Sequence, residues 1–242
     1  MSPRHVAGTG GIVAGAVVAM TVTVLKLRAW HGHWGATHDE VARPLPGDDL
    51  ISEPRYQTTR AISIMAPPAA AWAWLIQLGQ GRGGFYTFDR LENLAGLDMH
   101  SVDRIVPELQ DLAVGDLVPL SAIGGPIVVV LDPLRTMVLH FAMDPFTGRP
   151  IEGVVPADRR RFDWTWTFAL RPIDGVGTRL VVRTRADYVP RLLLAPLVAA
   201  LVEPVHFLME WGMLRGIKRR AEFPATSPTK DQECDAQSPF GS

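Results

Sequence analysis

Cysteine is nearly missing from this sequence. Cys234 is the only one among 242 residues, and it lies in a polar C-terminal stretch. A disulfide framework and a thiolate metal cluster are therefore excluded. An excess of charge is missing too, because 24 Lys and Arg residues balance 25 Asp and Glu residues. Since no block of basic residues stands out, we expect no nucleic-acid partner.

Motifs that carry common catalytic chemistry are also missing. The sequence has no G-x-S-x-G elbow, H-E-x-x-H helix, Walker lysine pattern or paired-cysteine motif. His31, His33 and His38 lie close together, but no carboxylate or thiolate stands at a fixed helical or hairpin offset to complete a metal site. We therefore expect no metal and no other cofactor.

One glycine-rich stretch, GQGRGG at residues 79–84, fits the G-x-G-x-x-G spacing of dinucleotide-binding loops. That loop works only between a strand and a helix, where backbone N–H groups and the helix N-terminus meet the phosphates. Here a helical pattern precedes the glycines and aromatic residues follow them. We expect no nucleotide ligand; Gly79 is predicted to cap a helix, and the other glycines to form a hinge.

The N-terminal part is strongly apolar. Residues 6–25 carry no charge and are long enough, at about 1.5 Å per residue, to cross about 30 Å of hydrocarbon. A single membrane span is the leading interpretation; a cleaved signal peptide and a flexible apolar N-terminus are the alternatives. Lys26 and Arg28 follow the run and Arg4 precedes it, which favours a cytoplasmic globular part.

Composition divides the chain into four parts. Residues 1–28 form the predicted membrane anchor or signal-like helix, and the polar, proline-bearing residues 29–54 form a linker. Residues 55–222 form one domain, because their periodic segments follow one another without a break. Residues 223–242 have the composition of a disordered tail.

Hydrophobic periodicity predicts an α+β domain. Alternation at 57–65 predicts a first strand, and apolar residues at helical spacing over 69–78 predict a short helix. The strongest alternation, FDWTWTFAL at 162–170, predicts a strand with one buried face. Residues 191–221 predict a long C-terminal helix with a kink at Pro204. The other predicted strands are 112–120, 126–131, 136–141 and 178–187.

Several segments resemble the START-related helix-grip superfamily, also called SRPBCC, which includes polyketide cyclase/dehydrase-type and lipid-transport proteins. The resemblance begins with ISIMAPP at 62–68 followed by AWAWL at 71–75. A narrower resemblance is to an actinobacterial-type branch with an N-terminal membrane anchor. It is carried by WGAT at 34–37, RPLPGDD at 43–49, GQGRGGFY at 79–86 and LENL at 91–94.

This resemblance implies a curved antiparallel sheet wrapped around the long C-terminal helix, with an N-terminal hydrophobic helix beside it. It also implies a cavity between sheet and helix that takes a hydrophobic small molecule or lipid. Since one fold hosts carriers and enzymes alike, two functions stay open. The leading expectation is membrane-tethered binding or transport; the alternative is a cyclase/dehydratase-type enzyme acting on an apolar or polyketide-like substrate in the same cavity. A collapsed interaction module is a third possibility.

The candidate ligand-binding residues are aromatic and methionine side chains of the sheet and helices, together with residues of the long insertion at 79–107 that is expected to shape the cavity mouth. Packing within the core is the alternative role for each of the apolar residues. The candidates are Trp74, Arg82, Phe85, Tyr86, Asn93, Trp164, Trp166, Phe168, Met209 and Met213. For an enzyme, the weaker candidates for proton transfer are Tyr86, Asp89 and His100.

Overall fold

The computed structural model describes residues 19–20, 22–23, 25–94, 96, 98–121, 124–151, 159–173, 175 and 177–223. Most of the apolar run at 6–25 and the tail from 224 onward lie outside these residues. The predicted membrane span, its cleavage and the disordered tail therefore stay predictions.

A five-stranded antiparallel sheet forms the centre of the domain, in the order β1-β5-β4-β3-β2. Its long central hairpin, β4 and β5, pairs along thirteen residues of each strand. The strands are β1 (Tyr56–Ile64), β2 (Ile127–Asp132), β3 (Thr136–Met143), β4 (Arg161–Ile173) and β5 (Gly177–Val189). With the long C-terminal helix, this sheet confirms the predicted α+β helix-grip class.

Within the described residues, four α-helices lie before or between the strands and one long helical stretch follows them. They are α1 (residues 25–32), α2 (His38–Ala42), α3 (Pro68–Ile76), α4 (Asp89–Leu94), α5 (Arg191–Leu197) and α6 (Glu203–Glu222). A π-turn, Val198–Val202, joins α5 to α6. Because Pro204 has no N–H to donate to the preceding turn, the helical hydrogen-bond pattern must change here, close to the predicted kink.

The inner face of the sheet packs against α3 and α6. Trp166, Phe168 and Leu170 point from β4 into this core, where they meet Leu75 of α3 and Leu214 of α6. Proline at the first turn of α3 and the apolar residues that follow explain why this short segment is helical and buried. The alternation of β4 was therefore a correct indication of its inner face.

The outer face of the sheet is covered as well, by the segment between α1 and β1. Arg183, almost fully buried on β5, donates hydrogen bonds of 2.9 Å to the carbonyl oxygens of Glu40, Val41 and Arg43. Leu45 packs on outer-face side chains of the sheet. The prediction that β4 is only half buried was wrong at Thr165, Thr167 and Ala169, because this segment excludes solvent from them.

The predicted strand at 112–120 was also wrong. Its residues form isolated contacts with neighbouring chain, including a single bridge between Leu117 and Ile127, instead of a ladder. Gly115 has a φ of 98°, a conformation that interrupts an extended strand, and Pro119 cannot donate a ladder hydrogen bond.

A buried ion pair joins the sheet to α6. Arg60, fully buried on the inner face of β1, donates from Nη1 to Oε2 of Glu210 at 2.6 Å. Its Nε donates to the carbonyl oxygen of His31, which ties the end of α1 to the same centre. Burial would raise the pKa of Glu210, but the charge of Arg60 and the contact with His206 outweigh it and hold the pKa at about 2.

We predict that Glu210→Gln lowers the free energy of unfolding by about 3 kcal/mol or more, because the buried guanidinium of Arg60 loses its counter-charge. Urea unfolding at pH 7 measures the change. The exposed Glu108 provides the control, since Glu108→Gln removes a carboxylate that is not buried. Equal loss in both variants would contradict a special role for the pair.

We also predict a pH dependence from the same carboxyl group. The pKa of Glu210 is about 2 in the folded protein against an ordinary value of 4.5, so its contribution is complete above pH 4.5 and disappears as the pH falls toward 2. Urea unfolding between pH 6 and pH 2.5 should show a steeper loss of stability for the parent than for Glu210→Gln. Parallel curves would contradict the assignment.

Candidate functional site

The insertion at 79–107 crosses directly over α6. Two glycines one helical turn apart make this possible: a Cβ at Gly216 would lie 2.1 Å from the backbone oxygen of Tyr86, and one at Gly212 would lie 2.9 Å from the ring of Phe88. Tyr86 itself has a φ of 58°, which turns the chain at the crossing. The absence of side chains on one stripe of α6 therefore lets the insertion reach the edge of the inner core.

The glycine-rich stretch forms a closed turn at the base of the insertion. Gly79 and Gly84 exchange backbone hydrogen bonds of 3.2 and 3.0 Å. From within the turn, the Arg82 guanidinium donates to the carbonyl oxygens of Ile76, Leu78 and Leu109. Arg82 thus satisfies carbonyls at the C-terminal end of α3, where no intrahelical donor is available. The prediction that Gly79 caps this helix was wrong: α3 ends at Ile76 with Gln77 as its C-cap, and Gly79, with a φ of 128°, lies two residues further on, in the turn.

The far part of the insertion is held by two side chains of α4. Asp89 accepts hydrogen bonds from the backbone N–H and the hydroxyl of Ser101, at 2.7 and 2.6 Å. Asn93 binds both backbone groups of Met99 through its side-chain amide. These bonds fix the loop that places the Met99 side chain in the core.

A cavity of about 560 Å³ lies between β4, the helical segment from the π-turn into α6, and the insertion. Its walls are apolar except for Thr87, His206 and Glu210. The lining residues are Phe85, Thr87, Met99, Leu120, Trp164, Trp166, Leu201, Val202, Val205, His206, Met209, Glu210 and Met213.

His206 and Glu210 form the polar end of this cavity. The Oε1 atom of Glu210 accepts from the Trp166 indole at 2.8 Å and lies 3.5 Å from His206 Nε2. His206 Nδ1 lies 3.1 Å from the Tyr56 hydroxyl and 3.4 Å from Arg60 Nη1. Arginine can only donate, so Nδ1 accepts and the imidazole carries its hydrogen on Nε2.

Burial raises the pKa of the Tyr56 phenol to about 12. Tyr56 therefore stays protonated and can donate to His206. The polar end is a network in which each of these side chains already has a partner within the domain.

The structure brings five of the predicted ligand-binding residues together in the cavity wall: Phe85, Trp164, Trp166, Met209 and Met213. Phe168 lies deeper, with its ring centroid 4.8 Å from that of Trp166. Trp74 packs edge-on against Tyr86, and the Tyr86 hydroxyl donates to the Trp74 carbonyl oxygen at 3.0 Å. Arg82 and Asn93 contact backbone groups of the domain, as described above.

The proton-transfer candidates lie elsewhere. His100 is exposed and 3.9 Å from the equally exposed Asp98. Asp89 holds Ser101. Tyr86 is buried at the crossing itself, and burial raises the pKa of its phenol. None of these three belongs to the cavity lining as the structure describes it.

Sequence reasoning missed several cavity residues. Leu201, Val202 and Val205 read as an apolar helix, and nothing in the pattern separates a cavity wall from a packed face. His206 and Glu210 did leave a signal, because a titratable pair at i and i+4 interrupts the apolar side of a long helix. Met99 and Leu120 come from irregular segments, where periodicity gives no information.

On the other side of the insertion lies a second, more polar groove of about 760 Å³. There the guanidinium carbon of Arg215 lies 4.7 Å from the centroid of the Trp211 ring, and Nζ of Lys218 lies 2.8 Å from Oε1 of Glu222. Its charged side chains distinguish this groove from the apolar cavity.

Solved structures with a similar fold are distant in sequence. Protein MLL2253 of Mesorhizobium loti is 17% identical over 68% of this chain and 96% of its own, with a TM-score of 0.37. A truncated norcoclaurine synthase of Thalictrum flavum is 13% identical, covering 68% and 91%, with a TM-score of 0.36. Hypothetical protein jhp0584 of Helicobacter pylori is 11% identical, covering 74% and 96%, with a TM-score of 0.41.

No protein-family model matches the chain, and no curated protein matches it. The likeness to the solved structures concerns the fold alone. The site is therefore interpreted from its own geometry.

We predict that Gly216→Ala destabilises the domain by about 1–3 kcal/mol, because the new methyl group would overlap the Tyr86 carbonyl and push the insertion off α6. Gly32→Ala is the matched control: Gly32 is also helical, and its Cβ would meet nothing within 4 Å. Alanine there should be neutral or slightly stabilising. Urea unfolding compares the two, and a neutral Gly216→Ala would contradict the close crossing.

Proposed function

We propose that this protein binds an uncharged hydrophobic small molecule or lipid in the cavity between β4, α6 and the insertion. The cavity itself carries the proposal: its volume of about 560 Å³ lies within the range of about 300–1,000 Å³ that small-molecule sites occupy. A space of this size between tryptophan and methionine side chains favours a site that a ligand fills over a collapsed interaction module.

The lining defines the chemistry of the ligand. Most of the wall is aromatic or aliphatic, which favours apolar surface on the ligand. Glu210 already accepts from Arg60 and Trp166, so a charged ligand would lose its hydration without gaining a free counter-charge.

Membrane tethering is part of the same proposal and depends on the sequence. The apolar run at 6–25 would form a single-pass helix, with the globular domain on the cytoplasmic side. The N-terminal anchor also fits the resemblance to the actinobacterial-type branch of the superfamily. Tethering would keep the cavity close to a reservoir of apolar molecules.

The alternative is a cyclase/dehydratase-type enzyme in the same cavity, and one observation bears on it. His206 is the cavity residue best suited to proton transfer. Its Nδ1, however, accepts from Tyr56 and Arg60, and its Nε2–H points to Glu210 and Thr184. A base whose acceptor nitrogen is occupied by internal donors is poorly prepared to take a proton from a substrate, which favours binding over conversion.

We predict that Met209→Trp abolishes binding of 1-pyrenedecanol, an uncharged apolar probe, because the larger side chain fills the cavity. Fluorescence titration of the purified full chain measures saturable binding, and native mass spectrometry detects any co-purified apolar compound. Leu134→Trp adds the same ring at an exposed turn between β2 and β3 and should bind like the parent.

Two results would count against the proposal. Binding that is equally strong in Met209→Trp would place the probe elsewhere on the molecule. A parent protein with neither a co-purified compound nor saturable binding would remove the main support. Chemical change of the probe, lost in His206→Gln, would instead favour the enzyme.

A further inference from the structure

The helical segment before α6 exposes leucines to solvent. From 192 to 202 the sequence has no charge, and only Leu194 and Val198 are fully buried, against Tyr188 and its neighbours. Leu192 is 96% exposed, and Leu193, Leu197 and Leu201 are 59%, 51% and 56% exposed. A helix on the surface of a domain ordinarily carries polar residues on its outward sides, so this segment is built for an apolar neighbour.

The exposed apolar surface continues into the cavity. Val205 and Leu208 in the first turns of α6 are 51% and 41% exposed. Leu201 and Val205 belong at once to the exposed surface and to the cavity wall. A molecule that moves between the outside and the cavity can thus stay in contact with apolar side chains on this path.

The apolar N-terminal part of the chain arrives at the same end of the domain. Arg28 of α1 forms a two-armed ion pair with Glu203 at 2.7 and 2.5 Å, at the start of α6. The ring of Trp30 packs edge-on against that of Phe207, with 5.5 Å between the ring centroids, and Trp30 is itself 55% exposed. The described part of α1 therefore lies at the start of α6, next to the segment with the exposed leucines.

Basic side chains flank this surface. Lys26, Arg55 and Arg191 are exposed, and Arg55 lies in one crevice with Arg28 and Glu203. Exposed cations next to an apolar helix, with an aromatic ring such as Trp30 between them, are the features of a helix that lies in the interface of an anionic bilayer.

We propose that α5 and the π-turn lie in the surface layer of a lipid bilayer, with Leu192, Leu193, Leu197 and Leu201 among the acyl chains and the cavity mouth facing them. By length and composition, the helix Arg191–Glu222 could cross a membrane. Its second half, however, packs inside the domain through Glu210, Met213 and Ile217. The segment therefore lies on the bilayer and does not cross it.

A bilayer accounts for this surface better than a second copy of the chain. Pairing of two copies would bury the leucines but would bring the flanking cations of both copies together. A lipid surface accepts the leucines and the cations at the same time. The proposed contact itself is independent of ligand binding; the further step, that the ligand enters from the bilayer, depends on the proposed function.

Site-specific fluorescence tests the contact in the full chain. Cys234→Ser removes the natural thiol, and Leu193→Cys or Leu197→Cys carries the environment-sensitive dye NBD. The labelled protein is mixed with vesicles of phosphatidylcholine and phosphatidylglycerol, which are prepared with and without a spin-labelled lipid. We expect a blue shift and quenching at 193 and 197, and neither at the control Leu134→Cys. The proposal is overturned if, on vesicle-bound protein, the dyes at 193 and 197 show the same emission and the same lack of quenching as the dye at 134.

The alternative occupant has its own signature. A blue shift at 193 without vesicles, together with a doubled mass in light scattering, would identify an interface between two copies and overturn the bilayer contact. The same measurement at several protein concentrations separates the two cases, because transfer into vesicles does not require a second copy.

A transfer experiment separates this inference from ligand binding. Vesicles loaded with 1-pyrenedecanol donate the probe to the protein, while binding from dilute solution is measured in parallel. We expect Leu192→Gln/Leu197→Gln to slow transfer by about tenfold, with unchanged binding from solution; Leu134→Gln is the control. Unchanged transfer with intact binding would overturn the entry route from the bilayer. If the parent protein does not bind the probe from solution at all, the proposed function is contradicted instead.

Discussion

The buried ion pair between Arg60 and Glu210 sets the position of the helix that the rest of the domain surrounds. Both side chains are fully buried, and an ion pair of this kind has strict geometric requirements, because either charge alone in the core would be very costly. The pair joins β1 to α6, and Trp166 adds β4 through its bond to Glu210. Arg60 also binds the carbonyl oxygen of His31. We infer that this network specifies the rotation of α6 more than it adds to stability.

The rotation of α6 determines which residues meet which neighbours. With Glu210 directed at the sheet, Met209 and Met213 lie on the cavity side. Gly212 and Gly216 then lie beneath the insertion, where a side chain would collide with the chain above. One helix thus supplies a polar anchor, a cavity wall and a close crossing on three of its sides. The cavity is a consequence of this arrangement, because the insertion rests on glycines and cannot descend further.

The positions of the strands and helices could be predicted from the sequence better than the segments that pack against them. Alternation located β1, β4 and β5 well, since the pattern is local and each strand has an apolar inner face. The cover on the outer face was not predictable, because residues 34–55 have no periodicity and are held by Arg183, which periodicity alone cannot distinguish from a surface charge. For the same reason, the sequence indicated that Trp164 and Met209 were candidates, but not that Arg82 would bind the end of α3. Such roles depend on contacts between distant segments.

The hydrogen bonds between Arg183 and the segment that covers the outer face of the sheet also affect how the chain folds during its synthesis. Its hydrogen bonds reach across about 140 residues of sequence, to the carbonyl oxygens of Glu40 and Arg43. The bond from Arg60 to Glu210 spans 150 residues. Contacts of such long range form slowly and only after both partners have left the ribosome. The early segments must therefore wait, without their partners, until nearly the whole domain has been made.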